Sequence, residues 1–147
     1  MSKISFYTED VKLPKFPKEQ LQKSVNFLIQ NEGKQQGNIS VIFCSDEYLL
    51  KINEQYLKHE YYTDIITFDY VENSVISGDL FISVERVAEN AGQLGFSTEM
   101  ELCRVILHGI LHLTGYKDNT DAEKLLMREK EDFYLQKMGF KSKKNDF

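Results

Sequence analysis

His108 and His112 stand four residues apart, and Gly115 and Asp118 follow them in the run HGILHLTGYKD. On a helix of about 3.6 residues per turn, such a pair of imidazoles leaves the same face. Gly115 predicts the end of that helix, because glycine takes the left-handed backbone that reverses a chain. Asp118, three residues further on, can then return beneath the two rings. Two neutral imidazole nitrogens and one carboxylate oxygen make three corners of a tetrahedron around zinc, and an open fourth corner separates a catalytic zinc site from a closed structural one. An HxxxH pair alone is common on helices. The glycine stop and the spaced carboxylate add independent constraints, and the chain holds only three histidines, so His108, His112 and Asp118 are the expected metal ligands.

The residue after the first histidine limits the chemistry. Zinc proteases with this spacing carry glutamate there, as general base for the attacking water. Here the position is Gly109, so peptide hydrolysis lacks its proton acceptor. The glycine is expected to leave room beside the metal for a bulky substrate. A net charge of −5, from 18 Lys and Arg against 23 Asp and Glu, excludes nucleic-acid binding by bulk attraction, since neutralising phosphates takes lysine and arginine. Any contact with RNA must be local. The basic tail of Lys137, Lys141, Lys143 and Lys144 reads as a solvated terminus. Cys44 and Cys103 stand in no CxxC pattern and are expected as buried free thiols. No run of about 18 apolar residues is present to span a bilayer, and MSKISFYTEDVK lacks the apolar stretch of a secretory signal, so the expected compartment is the cytoplasm.

The elements that must position these ligands follow from periodicity and caps. A first strand spans Ile4 and Phe6, and Pro17 opens a helix whose stripe is Leu21, Val25, Leu28 and Ile29, running to about Asn31. The GKQQG segment from Gly33 to Gly37 reads as a turn, and Ile39 to Cys44 as a strand. Ser45 caps a helix from Asp46 to about Leu57 with Tyr48, Leu49, Ile52 and Tyr56 inward. Asp64 to Tyr70 and Val75 to Ser83 read as a hairpin. Ser83 caps a helix closed by Gly95. Thr98 with Glu101 matches a capping box opening the metal helix, and Thr120 with Glu123 repeats it for a last helix to Met138. The order βαβαββααα implies one α+β domain over 1–147, a mixed sheet of about four strands packed with about five helices. The metal helix is apolar nearly all round, as a central zincin-like helix is.

HGILHLTGY resembles the HGxLHLxGYDH signature of the YbeY family of bacterial metal-dependent endoribonucleases. Ile52, Asn53 and Tyr56, then TDIITF from Thr63 to Phe68, resemble that family's LNxxYR and TDVLSF segments, and Gly78-Asp79-Leu80 resembles its GDI. The resemblance implies a single-strand-specific, zinc-dependent endoribonuclease that matures ribosomal RNA at the small-subunit 3′ end and serves ribosome quality control. Its implied partners are single-stranded RNA, ribosomal RNA and the small ribosomal subunit, with no membrane, and its cofactor is one Zn2+ or another divalent ion per chain. Two departures stand out. Asp118 occupies the place of the family's third histidine, and Leu57 the place of the arginine that follows tyrosine. Lys58 and Arg104 are the candidate catalytic replacements for that arginine, Arg104 because it precedes His108 by four residues on the same helical face.

Phosphodiester cleavage needs a nucleophile and stabilisation of charge on the nonbridging oxygens, and a divalent ion supplies both. Other readings stay open on the sequence alone. One is a ribosome assembly factor with a mainly structural metal and weak or absent cleavage, favoured by Leu57 and the acidic charge. Another is hydrolysis of a small phosphoester or amide. Asp64 and Asp79 read as structural, Thr67 and Ser77 as solvent-facing, and Tyr61, Tyr62 and Tyr70 as surface tyrosines able to stack on bases. His59 lies in a polar loop with no partner at ligand spacing and reads as a surface residue.

Overall fold

Nine elements account for most of residues 3–140, the part of the chain that the computed structural model describes. They are β1 (Ile4–Thr8), α1 (Lys18–Asn31), β2 (Gln35–Cys44), α2 (Asp46–Leu57), β3 (Ile65–Asp69), β4 (Val75–Ser83), α3 (Val84–Leu94), α4 (Thr98–Leu113) and α5 (Asp121–Lys137). The order is the expected βαβαββααα. Lys141, Lys143 and Lys144 of the basic tail lie outside the described residues.

The strands form one mixed sheet in the order β1-β2-β4-β3, with β1 parallel to β2, β2 parallel to β4, and β3 antiparallel to β4 at the edge. Alternation sorts the side chains between the two faces. Ile39, Val41 and Phe43 of β2 and Ile76, Leu80 and Ile82 of β4 meet Leu21, Val25 and Leu28 of α1 and the apolar body of α4 in the main core. On the other parity, Cys44 and Ile66 meet Leu49 and Ile52 of α2 in a smaller cluster. Both cysteines are free and buried, and burial pushes each thiol up to about 12.

From Met100 to Leu113 every residue of α4 is buried except His108 and His112. The helix is therefore central, and its two partly open positions are the two imidazoles. Gly109 explains how closely it lies on the sheet: a Cβ there would stand 2.8 Å from Ile65 Cδ1 and 3.0 Å from Leu80 Cδ2. This corrects the expectation that Gly109 makes room for substrate. It makes room for β3 and β4.

Three local expectations also change. The GKQQG segment is not all turn, because Gln35 and Gln36 already pair with Val75 and Ile76 of β4, with a register shift before Ile39. Turn-forming residue types were overruled by a partner strand. The cap of α4 is Ser97, whose side chain accepts from the Met100 N–H, so Thr98 is the first helical residue. Tyr56 is exposed and instead meets Phe68 edge-on, while Asn53 takes the buried place on α2.

Candidate metal centre

His108 Nε2 and His112 Nε2 lie 3.0 Å apart, and Asp118 Oδ2 is 3.3 Å from each. The three ligand atoms thus form a nearly equilateral triangle. They meet because α4 places the two rings on one face and the chain reverses just beyond it. Gly115 has φ +115, and the Tyr116 N–H closes the turn on the Leu111 carbonyl at 3.1 Å. Asp118 comes back under the rings in the manner its spacing requires.

The outer nitrogens of both rings are occupied. His112 Nδ1 lies 2.9 Å from the Tyr116 carbonyl, which only accepts, so Nδ1 carries the proton and Nε2 carries the lone pair. His108 Nδ1 lies 2.6 Å from Glu131 Oε2. Burial alone would push the Glu131 carboxyl up, but the His108 hydrogen bond and the Arg104 guanidinium hold it below the ordinary carboxylate range. Glu131 is thus an ionised acceptor, and His108 too presents a lone pair at Nε2. With both rings neutral, two lone pairs facing each other across 3.0 Å beside a carboxylate oxygen repel one another unless a proton or a metal cation stands among them. A tetrahedron with zinc–ligand distances of 2.0 to 2.1 Å has edges of about 3.3 Å. The triangle therefore fits one face of that tetrahedron, and the donor set suits a borderline-soft divalent ion. His108, His112 and Asp118 are also within 4.8 Å of one another as a group able to hold a metal.

Behind His108 lies a buried charge network that sequence reasoning missed. Glu131 Oε1 accepts from Arg104 Nη1 at 2.8 Å, and Arg104 gives Nε and Nη2 to Glu101 at 2.7 and 2.5 Å. Burial disfavours the Arg104 charge, yet the two carboxylates raise its affinity for the proton further still. Arg128 stands at 3.9 Å from Glu131 as a more exposed neighbour. The sequence did carry a signal for Glu131: it sits among Met127, Tyr134 and Leu135 on the buried stripe of α5. A charged residue at such a position needs a partner. Arg104, one candidate for direct action on substrate, faces inward and spends its hydrogen bonds on Glu101 and Glu131.

On the far side of the metal turn, Glu32 accepts from Tyr116 Oη at 2.6 Å, Tyr134 Oη at 2.5 Å and Lys130 Nζ at 3.3 Å. Burial would raise the Glu32 carboxyl, and these three donors bring it below its ordinary value. The loop that delivers Asp118 is thereby tied to the end of α1 and to α5.

The triangle opens into a cleft of about 330 Å³. The cleft is also lined by Asn53 and Leu57 of α2, the connecting residues His59, Tyr61, Thr63 and Asp64, and Ile65, Ile66 and Thr67 of β3. Lys58, the other candidate for direct action, caps α2 in the left-handed conformation with φ 57 and is not among the lining residues. Leu57 does line the cleft, bringing an apolar side chain. Of the three tyrosines considered for stacking, Tyr61 borders the cleft. Tyr62 is held by Glu47 and by Arg86 over its ring, and Tyr70 by Asp79.

The family model described as endoribonuclease YbeY matches residues 3–139. The chain belongs to the endoribonuclease YbeY family. A relative from Parabacteroides distasonis named endoribonuclease YbeY is 48% identical over 128 residues, covering 87% of this chain and 90% of its own. Another of that name, from Flavobacterium johnsoniae, is 57% identical over 105 residues, covering 71% of this chain and 76% of its own. The chain also resembles the solution structure of TM1509 from Thermotoga maritima, with a TM-score of 0.65 at 29% identity over 92% of this chain and 88% of that one.

Proposed function

We propose that this protein is a zinc-dependent, single-strand-specific endoribonuclease of the cytoplasm, acting in ribosomal RNA maturation at the small-subunit 3′ end and in ribosome quality control. The single observation that carries the reading is the triangle of two Nε2 atoms and Asp118 Oδ2 at the base of an open cleft. His108, His112 and Asp118 would hold the ion, one per chain. Bound there, a divalent ion supplies Lewis acidity toward a phosphoryl oxygen and lowers the pKa of water toward neutrality.

The chain's own groups prepare that site. Glu131 and the Tyr116 carbonyl keep the imidazole protons on Nδ1, so neither ring has to rotate or shift a proton to present Nε2. Asp118 brings a negative oxygen to the C-terminal end of α4, where the helix dipole disfavours it by about 0.3 to 1 kcal/mol; a cation reverses that sign. The position that holds a proton acceptor in zinc proteases is Gly109, facing the sheet.

The test compares cleavage of single-stranded RNA by the zinc-loaded protein and by His112→Ala, with circular dichroism on both. Removal of a ligand should lower zinc affinity by more than the roughly 10- to 100-fold that loss of an outer partner costs. Loss of cutting with an intact fold supports the reading. The absence of lysine and arginine from the described residues of the cleft lining favours a second reading, a ribosome assembly factor whose metal is mainly structural. A fully zinc-loaded wild type that leaves RNA uncut would establish that one instead.

A further inference from the structure

We propose that His59 is a substrate-contacting residue, donating a hydrogen bond from Nε2 to a phosphate oxygen of the RNA across the cleft from the metal. The inference rests on the nuclease reading and adds a residue that its metal ligands do not include. An RNA strand brings one negative charge per phosphate, and the metal site answers only the charge directly above it. Among the described residues lining the cleft there is no lysine or arginine, and Asp64 and Asp118 add negative charge. Neighbouring guanidiniums are engaged elsewhere, Arg104 by Glu101 and Glu131 and Arg86 by Asp46. Apart from the ligands themselves, His59 is the one described lining residue whose side chain can carry positive charge.

Its setting is that of a fixed donor. The His59 ring stacks on Tyr61 with centroids 5.1 Å apart and an interplanar angle of 18°, and Nδ1 lies 3.0 Å from Tyr61 Oη. With a phosphate oxygen accepting from Nε2, Nδ1 donates to the Tyr61 hydroxyl oxygen in the charged ring and accepts from that hydroxyl in the neutral one. The segment is in turn fastened to α2. Asn53, almost wholly buried, donates from Nδ2 to the Tyr61 carbonyl at 2.8 Å, and its own carbonyl accepts from the His59 N–H at 3.1 Å. Burying the Asn53 amide is costly unless it is hydrogen-bonded; its side chain holds Tyr61, and the main-chain closure of α2 holds His59. Here the bonds are made on both sides of the stacked pair, so the donor is positioned before substrate arrives.

The experiment measures binding of a fluorescent single-stranded oligonucleotide to zinc-loaded wild type, His59→Ala and His59→Arg over a range of salt, with zinc content and circular dichroism on each. One phosphate contact contributes about 0.7 to the slope of log affinity against log salt on a single strand. His59→Arg should bind more tightly than His59→Ala, with a slope steeper by about that amount. In cleavage, His59→Ala should raise KM more than it lowers kcat, and His59→Arg should restore KM. Equal slopes for the two variants would overturn the proposal, as would loss of zinc from His59→Ala, which would make the residue a support of the metal. If wild type does not cut RNA, the nuclease reading fails while the salt slopes still decide the contact.

Discussion

The two walls of the cleft are built on different principles. The metal wall stands on α4 and α5, with its ligand rings backed by three charged side chains that are nearly closed to water, Glu101, Arg104 and Glu131. The facing wall is a connecting segment between α2 and β3, largely exposed, held by one buried amide and by main-chain hydrogen bonds. Chemistry that depends on a few tenths of an ångström sits on helices packed in the core. The proposed contact with RNA sits on a loop. The metal wall's precision costs desolvation of three ions, and the geometry is kept only while each is satisfied.

Removing the central cation should break that wall most severely. Arg104→Met leaves Glu101 and Glu131 facing each other in the interior, and breaking a buried pair in this way costs about 3 to 5 kcal/mol. Urea unfolding should show the loss. A variant of undiminished stability but lowered kcat would instead put Arg104 on the substrate.

Glu131→Gln is the sharper probe, since it keeps the shape and the acceptor while removing the charge behind His108. Zinc affinity should fall by roughly 10- to 100-fold, read by competition with a chromophoric chelator, and the fold should persist. The same measurement on His59→Ala, on the other wall, should show no change.

Glu32 ties the metal turn to the end of α1 and to α5, and its contribution to stability depends on pH. Its carboxyl is held below the ordinary value in the folded protein, so it contributes stability that is present above the unfolded-state pKa and is lost as pH falls through the lower, folded one. Hydrogen bonds to a charged group contribute about 1.5 to 3 kcal/mol each before non-additivity. Glu32→Gln should therefore be less stable than wild type at pH 7, with the gap closing below about pH 4. A gap that stayed constant across that range would remove the charge from the account.

The smallest expected effect is local. Chelation should speed amide exchange in the turn from Leu113 to Thr120 while the buried body of α4 keeps its protection. The helix-dipole contribution alone corresponds to about two- to five-fold in exchange rate. Equal protection with and without metal would detach the turn from the ion.

How much of this was legible in the sequence depended on range. His108, His112, Gly115 and Asp118 were readable because their meeting is governed by helical pitch and one reversal, all within eleven residues. The bounds of α2 and β4 and the Thr120 capping box were readable for the same reason. Ser97 was missed beside Thr98 because two adjacent hydroxyl residues offer the same cap and only the backbone selects one. Gln35 and Gln36 were missed as strand because their partners in β4 lie forty residues away.

Sequence by itself determined the meeting of His108, His112 and Asp118, the element order and the family, since each rests on residue types at short, fixed spacing. Tertiary structure alone decided that Gly109 serves the sheet, that Arg104 turns inward to Glu131 twenty-seven residues on, and that His59 lines the same cleft as the two imidazoles. The physical reason is that burial and pairing between distant segments are set by which helix faces pack together, and a linear spacing carries no record of that choice.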